Sequence, residues 1–142
     1  MKVVIAYYSA TGNTQAMAEE IQRGAAEAGA DVTLLNVGDT TAEEVAEFDV
    51  IALGCASYGD EVLEEYEFQP FYDELEPMLD GKKVALFGSY DWGQGQWMHD
   101  WQDAVEAAGA ELINGKGLII NLYPDADGLK ECYDLGQTLA QS

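Results

Sequence analysis

Basic residues are what this sequence has least of. Six Lys and Arg stand against 27 Asp and Glu in 142 residues, a formal net charge of −21. No Lys or Arg occurs between Arg23 and Lys82, a stretch that holds sixteen acids. Such a chain repels polyphosphates and anionic headgroups, so nucleic acid and membrane surfaces are not expected as partners. Cysteine is scarce too. Cys55 and Cys132 have neither the spacing of a zinc site nor that of a Cys-x-x-Cys pair, and read as two reduced, buried thiols. No apolar run approaches the roughly 20 residues of a membrane span. The first run, residues 3–8, is too short for the core of a secretory signal and is cut off by the polar and turn residues 9–14; a cytoplasmic protein is expected. His99 is the only histidine and reads as a helix-surface residue, and nothing resembles a metal cluster or a nucleophilic triad.

Against these absences, 48% of the residues are apolar, which makes a globular chain rather than an acidic disordered tail. The length suits one domain, residues 1–142. Val/Ile/Leu-rich runs at 3–8, 31–37, 50–55, 84–88 and 118–122 predict five strands buried on both faces. Between them run helical periods: Ala18, Ile21 and Ala25; Phe68, Phe71, Tyr72, Leu75 and Leu79; Trp97, Trp101 and Val105; Leu129, Cys132, Gly136 and Leu139. A shorter helix opens at Thr41-Ala42-Glu43-Glu44, which has the form of a capping box. Gly29, Pro77, Gly81, Gly109 and Pro124 punctuate the pattern. Strand and helix in regular alternation predict an α/β fold, a parallel sheet with right-handed crossovers and helices on both faces. In such sheets ligands bind outside the carboxyl ends of the strands, so the loops to read follow strands one, three and four: residues 9–14, 56–61 and 89–95.

The first of these, Ser9-Ala10-Thr11-Gly12-Asn13-Thr14, offers three hydroxyls, an amide and a glycine at the start of a helix. A helix N-terminus presents unpaired N–H groups and about half a positive charge, so phosphate can be held there by dipoles alone. The loop lacks the Lys of a nucleoside-triphosphate loop and the glycines of a dinucleotide fingerprint. The other two loops, Ser57-Tyr58-Gly59-Asp60-Glu61 and Ser89-Tyr90-Asp91-Trp92-Gly93, carry Tyr58, Tyr90 and Trp92 where no periodicity buries them. Aromatics at a ligand rim favour a flat partner, since stacking adds about 0.5–1.5 kcal/mol beyond area burial. Trp97 and Trp101, spaced i, i+4, read as core instead.

Together the three loops resemble the flavin loops of the flavodoxins, and the likeness runs the whole length of the chain, in the short-chain group that lacks an extra loop of about 20 residues near the fifth strand. The resemblance implies a flavodoxin-like doubly wound sheet of five parallel strands in the order 2-1-3-4-5, in a three-layer α/β/α arrangement. It also implies FMN at the switch point between strands one and three; both are properties of the family, not readings of these residues. Carried over by position, Ser9, Thr11, Asn13 and Thr14 with the backbone of Ala10 and Gly12 would hold the FMN phosphate. Trp92 would cover the outer face of the ring and Tyr58 the inner face or edge. The Gly59-Asp60 peptide would face flavin N5, and Glu61 would pair with N3–H. Ser57, Ser89 and Gly93, with the backbone of Tyr90 and Asp91, complete the flavin-binding set. Many short-chain relatives have Met at Tyr58 and Gly at Asp91.

The implied function is a low-potential one-electron carrier, cycling non-covalent FMN between semiquinone and hydroquinone, with the acid excess holding the second potential low. It would be a monomer, docking its acidic surface onto basic patches of flavin or iron-sulfur oxidoreductases. A small FMN-dependent reductase or a ribonucleotide-reductase activator of the same fold is the alternative. A phosphorylatable signalling domain fits poorly, because Ser9-Ala10, Cys55-Ala56 and Asn121 stand where its acids and Lys belong. A module that has lost its cofactor is disfavoured by the intact loops.

Overall fold

The computed structural model describes residues 2–9, 12–57, 63–90, 93 and 95–142. The elements run β1 (Lys2–Tyr8), α1 (Asn13–Glu27), β2 (Asp31–Asn36), α2 (Ala42–Ala46), β3 (Val50–Cys55), α3 (Phe68–Leu75), β4 (Lys83–Tyr90), α4 (Gln96–Ala107), β5 (Glu111–Leu112), β6 (Leu118–Asn121) and α5 (Ala126–Ala140). All strand pairs are parallel, in the order β2-β1-β3-β4, with β5 and β6 both paired to β4. This is the expected 2-1-3-4-5 sheet with its fifth position divided. Two residues of β5 pair with Lys83 and Val84, a 3-10 turn at Ile113–Gly115 follows, and pairing resumes from Leu118 against Phe87. Asn114 and Gly115, at φ 65° and 71°, make the break.

Alternation along the strands sorts the core into two layers. Val4, Ala6, Ile51, Leu53, Val84 and Leu86 face Phe68, Phe71 and Leu75 of α3 and Trp97, Trp101 and Val105 of α4, with α2 at the margin. Val3, Ile5, Ala52, Ala85 and Phe87 face Met17 and Ile21 of α1 and Cys132, Leu135 and Leu139 of α5. Both cysteines are free, and burial pushes each thiol up to about 12. Among the described residues no helix is long and apolar enough to cross a membrane.

Several boundaries differ from the sequence reading. Strand four extends through Ser89 and Tyr90, which are strand residues and not loop residues. The capping box at α2 is half made. Glu44 N–H donates to Thr41 Oγ1 (3.2 Å), while the Glu44 carboxylate accepts from Thr40 Oγ1 (3.2 Å). Glu64, for which the sequence reading makes no assignment, is buried at the entry to α3. Its carboxylate accepts from the N–H groups of Tyr66 (2.8 Å), Glu67 (2.6 Å) and Phe68 (2.9 Å). Burial alone would raise its pKa, and the three donors hold it below the ordinary glutamate value.

Two predictions follow from packing and capping. Helices α1 and α5 cross so closely that a Cβ on Gly136 would lie 2.1 Å from Ile21 O, and one on Gly24 2.2 Å from Tyr133 O. Gly136→Ala is therefore expected to lower unfolding free energy by about 1–3 kcal/mol in urea titrations, since the obstacle is backbone and cannot turn aside. Glu64→Gln removes the charge from the cap and should cost about 1–2 kcal/mol near neutral pH. Because the folded pKa is depressed, that contribution is present above the ordinary glutamate pKa and is lost as pH falls through the folded value. Stability curves of the two proteins should thus converge as pH falls below the folded, depressed value.

Candidate functional site

The carboxyl ends of β1, β3 and β4 meet at the point where strand order reverses, and the described loop residues are tied together there. Gly12 precedes α1 in the left-handed conformation (φ 93°), with nothing among the described residues within 4 Å of the position a Cβ would take. Its N–H donates to Ser9 Oγ (3.1 Å). The first intrahelical bond runs from Ala16 N–H to Gly12 O (3.0 Å), so the N–H groups of Asn13, Thr14 and Gln15 have no carbonyl within the helix to meet. Among the described residues no side chain caps this end, and no acid lies in its first turn.

Thr14 is buried under the loop. Its hydroxyl lies 3.2 Å from Ser89 Oγ, and it accepts from Ser89 N–H at 3.4 Å, which joins the start of α1 to the end of β4. Ser57 N–H donates to Ser89 O (3.1 Å), which brings in the end of β3. Three of the hydroxyl residues named from the sequence, Thr14, Ser57 and Ser89, thus belong to one connected cluster. Ser9 and Asn13 stand half-buried at the first loop beside it.

Behind the cluster the frame is tight. Trp97 Nε1–H donates to Cys55 O (3.3 Å), anchoring α4 to the end of β3. A Cβ on Gly88 would strike the same carbonyl at 2.1 Å, so only glycine lets β4 lie there. Reading Trp97 as core was right, but the pattern carried no sign of its indole bond.

Tyr90 corrects the expectation of an aromatic left in a loop. It ends β4, is half-buried, and its ring packs on Trp97 (centroids 6.0 Å apart, 46° between planes). Its carbonyl accepts from Leu122 N–H (2.8 Å) and Asn121 Nδ2 (3.1 Å). Gly93 is exposed with φ 89°. Ala10, Thr11, Tyr58, Gly59, Asp60, Glu61, Asp91 and Trp92 lie outside the described residues.

The site can hold an anion by dipoles. Free helix N–H groups, hydroxyls of Ser9, Thr14, Ser57 and Ser89, and open space over Gly12 suit the acceptor oxygens of a phosphate. None of the six bases belongs to these loops: Lys2 and Lys83 begin strands, Lys82 precedes β4, Arg23 and Lys130 lie in helices, and Lys116 lies in the break between β5 and β6. A phosphate monoester such as that of FMN fits this donor set.

Comparison with known proteins agrees with the geometry. The family model described as Flavodoxin matches residues 5–136. The chain is 44% identical to a flavodoxin of Clostridium beijerinckii and 46% identical to one of Megasphaera elsdenii, each alignment covering 99% of both chains. The solution structure of two-electron reduced Megasphaera elsdenii flavodoxin superposes with a TM-score of 0.89 over 99% of both chains. A flavodoxin from the domain Archaea, 30% identical, gives 0.88, covering 99% of this chain and 97% of its own. The chain belongs to the flavodoxin family: it carries electrons on FMN and is not an enzyme.

Proposed function

We propose that residues 1–142 form one FMN-binding domain that works as a cytoplasmic, monomeric, low-potential electron carrier. The observation that supports it best is the acid-free, uncapped start of α1 beside the Thr14–Ser89–Ser57 cluster. In this reading Ser9, Thr11, Asn13 and Thr14, with the backbone of Ala10 and Gly12, hold the phosphate. Trp92 and Tyr58 enclose the ring. Gly59, Asp60, Glu61, Ser57, Ser89, Tyr90, Asp91 and Gly93 complete the pocket, Tyr90 through its backbone. Bound FMN supplies two successive one-electron couples; the chain supplies orientation, exclusion of water and electrostatic bias.

The bias comes from charge. A unit charge ~10 Å from the ring, at an effective dielectric constant near 40, contributes about 0.8 kcal/mol against a further negative charge. Many acids and no nearby base make the lower couple low. The same acids choose the partners, which are redox proteins with basic patches, flavin or iron-sulfur oxidoreductases by chemistry. Electron transfer to partner proteins is the family's work.

Binding tests the phosphate assignment. Ser9→Ala should weaken FMN binding to the apoprotein by about tenfold or more, the loss of one charge-assisted hydrogen bond, and leave riboflavin affinity within twofold. Equal losses for both ligands in a fluorescence titration would remove the phosphate from this loop, and failure of the purified protein to take up FMN would sink the carrier reading altogether. Salt tests the charge argument. Raising ionic strength from 0.01 to 1 M shortens the screening length from about 30 to about 3 Å, so the lower potential should rise by tens of millivolts in dye-linked titrations. A potential indifferent to salt would move its cause from the acids to the immediate surroundings of the ring.

A further inference from the structure

Three large apolar side chains stand exposed among the described residues: Tyr66 (87%), Leu122 (47%) and Tyr123 (65%). All three lie at the carboxyl end of the sheet, Tyr66 in the turn between β3 and α3, Leu122 and Tyr123 in the turn between β6 and α5. Strands β3 and β6 are the two neighbours of β4 at that end, so the turns leave it from strands about 10 Å apart. The loops proposed to enclose the flavin follow β1, β3 and β4 at the same end.

Both turns are fastened. Tyr66 is held by its N–H on the buried Glu64 carboxylate. Leu122 is held by its N–H on Tyr90 O, with Asn121 Nδ2 on the same carbonyl. The Leu122 backbone is left-handed, at φ 59°. A branched side chain is strained there, and an apolar one gains nothing from standing in water. Glycine or asparagine would relieve the backbone, and a polar residue would relieve the surface. Leu122 does neither, and nearly half of its surface stays in water. Strain of this kind persists where the side chain has a use outside its own fold.

Charge identifies what it meets. Glu65 and Glu67 flank Tyr66, and Asp125 and Asp127 follow Tyr123; all four are exposed, and no Lys or Arg is in either turn. An apolar centre, two of its three members tyrosines, with a charged rim is the anatomy of a protein-docking surface.

We infer that Tyr66, Leu122 and Tyr123 form the apolar centre of the docking surface, and that its occupant is a redox protein with an apolar contact ringed by Lys or Arg. This rests on the proposed acidic docking but assigns affinity and orientation to three residues that carry no charge. The Leu122 conformation then serves contact with a partner, at the expense of the isolated fold.

The test uses FMN-loaded protein and a zinc-substituted basic c-type cytochrome as a redox-inert probe, with dissociation constants measured at 0.02 and 0.3 M salt. Leu122→Gly, Tyr66→Ser and Tyr123→Ser should each weaken binding by about three- to tenfold at both salts, with the salt dependence of the unaltered protein retained. Leu122→Gly should meanwhile keep or raise Tm, because glycine is at ease at φ 59°. Affinities within twofold of the unaltered protein at both salts would overturn the inference. So would a lowered Tm for Leu122→Gly, or no association of the unaltered protein at either salt. A concentration-dependent dimer in sedimentation, abolished by the variants, would overturn the partner in favour of a second copy. Loss of salt dependence in the unaltered protein would instead refute the acidic docking reading, and leave the apolar contacts to be judged by the variants alone.

Discussion

In the proposed site a dianionic phosphate is bound by a chain of net charge −21 without a cation in the loop, and that constraint sets the terms for much of this structure. The attraction has to come from N–H dipoles and hydroxyls at one helix N-terminus, and it is weakened by every carboxylate placed near them. Acids are distributed accordingly. Five helices begin at the carboxyl end of the sheet. Glu43 and Glu44 lie in the first turn of α2, Asp125 and Asp127 cap and follow the start of α5, and Glu64 closes the entry to α3. Among the described residues the starts of α1 and α4 have left-handed glycines and no acid in the first turn. Of the three helices that follow the proposed flavin loops, α1 and α4 are thus kept clear among the described residues, while α3 is entered over the Glu64 carboxylate.

Dipoles point usefully only if the elements that carry them do not shift, and the frame around the site is held by bonds between unlike elements. Thr14 joins α1 to β4, Ser57 joins the end of β3 to β4, Trp97 joins α4 to β3, and Asn121 and Leu122 join the end of β6 to β4. The first three use buried or half-buried donors that would otherwise be costly to leave unpaired. Gly54 lies under the Phe87 ring and Gly88 against Cys55 O, with Cβ clashes at 2.2 and 2.1 Å, so β3 and β4 approach with no room for a larger residue. A site built from neutral groups thus depends on position more than one built around a lysine, whose charge acts at longer range and whose stem can follow its ligand.

The strands and helices were legible because burial on two faces writes continuous apolar runs and 3.6-residue periods that survive without tertiary context. What was missed had too little length or the wrong chemistry to leave such a trace. Glu111–Leu112 is two residues long, followed by an Asn-Gly-Lys-Gly stretch that reads as a loop. Ser89 and Tyr90 look like loop residues because hydroxyls and aromatics are also what a ligand rim contains, yet here one is bonded to Thr14 and the other packed on Trp97. Glu64 sits in a run of acids that gives no sign of burial; only the three N–H groups that converge on it make burial favourable. The loop proposed to hold the phosphate stood out for the opposite reason: Gly12 and the residues around it combine features that a simple helix cap does not need.

Charge also has a direction along the strands. Lys2 and Lys83 open β1 and β4, and Lys82 lies 3.7 Å from Asp49 at the same amino end, while the carboxyl-end turns around the site carry acids. An approaching basic surface is therefore drawn to the end where the flavin loops lie. Near physiological salt the Debye length is about 8 Å, so this guidance acts over roughly one layer of side chains and vanishes into screening beyond it. Attraction that short and that diffuse gathers partners without fixing their angle, because several exposed carboxylates accept a lysine equally well. Electron transfer nevertheless requires the two redox centres to face each other closely. Orientation must come from contacts that are local and insensitive to salt, which is the property of exposed apolar groups held on fastened turns. On the docking proposed above, the scarcity of basic residues brings partners to one end of the molecule, and the few uncovered apolar side chains there decide how they settle.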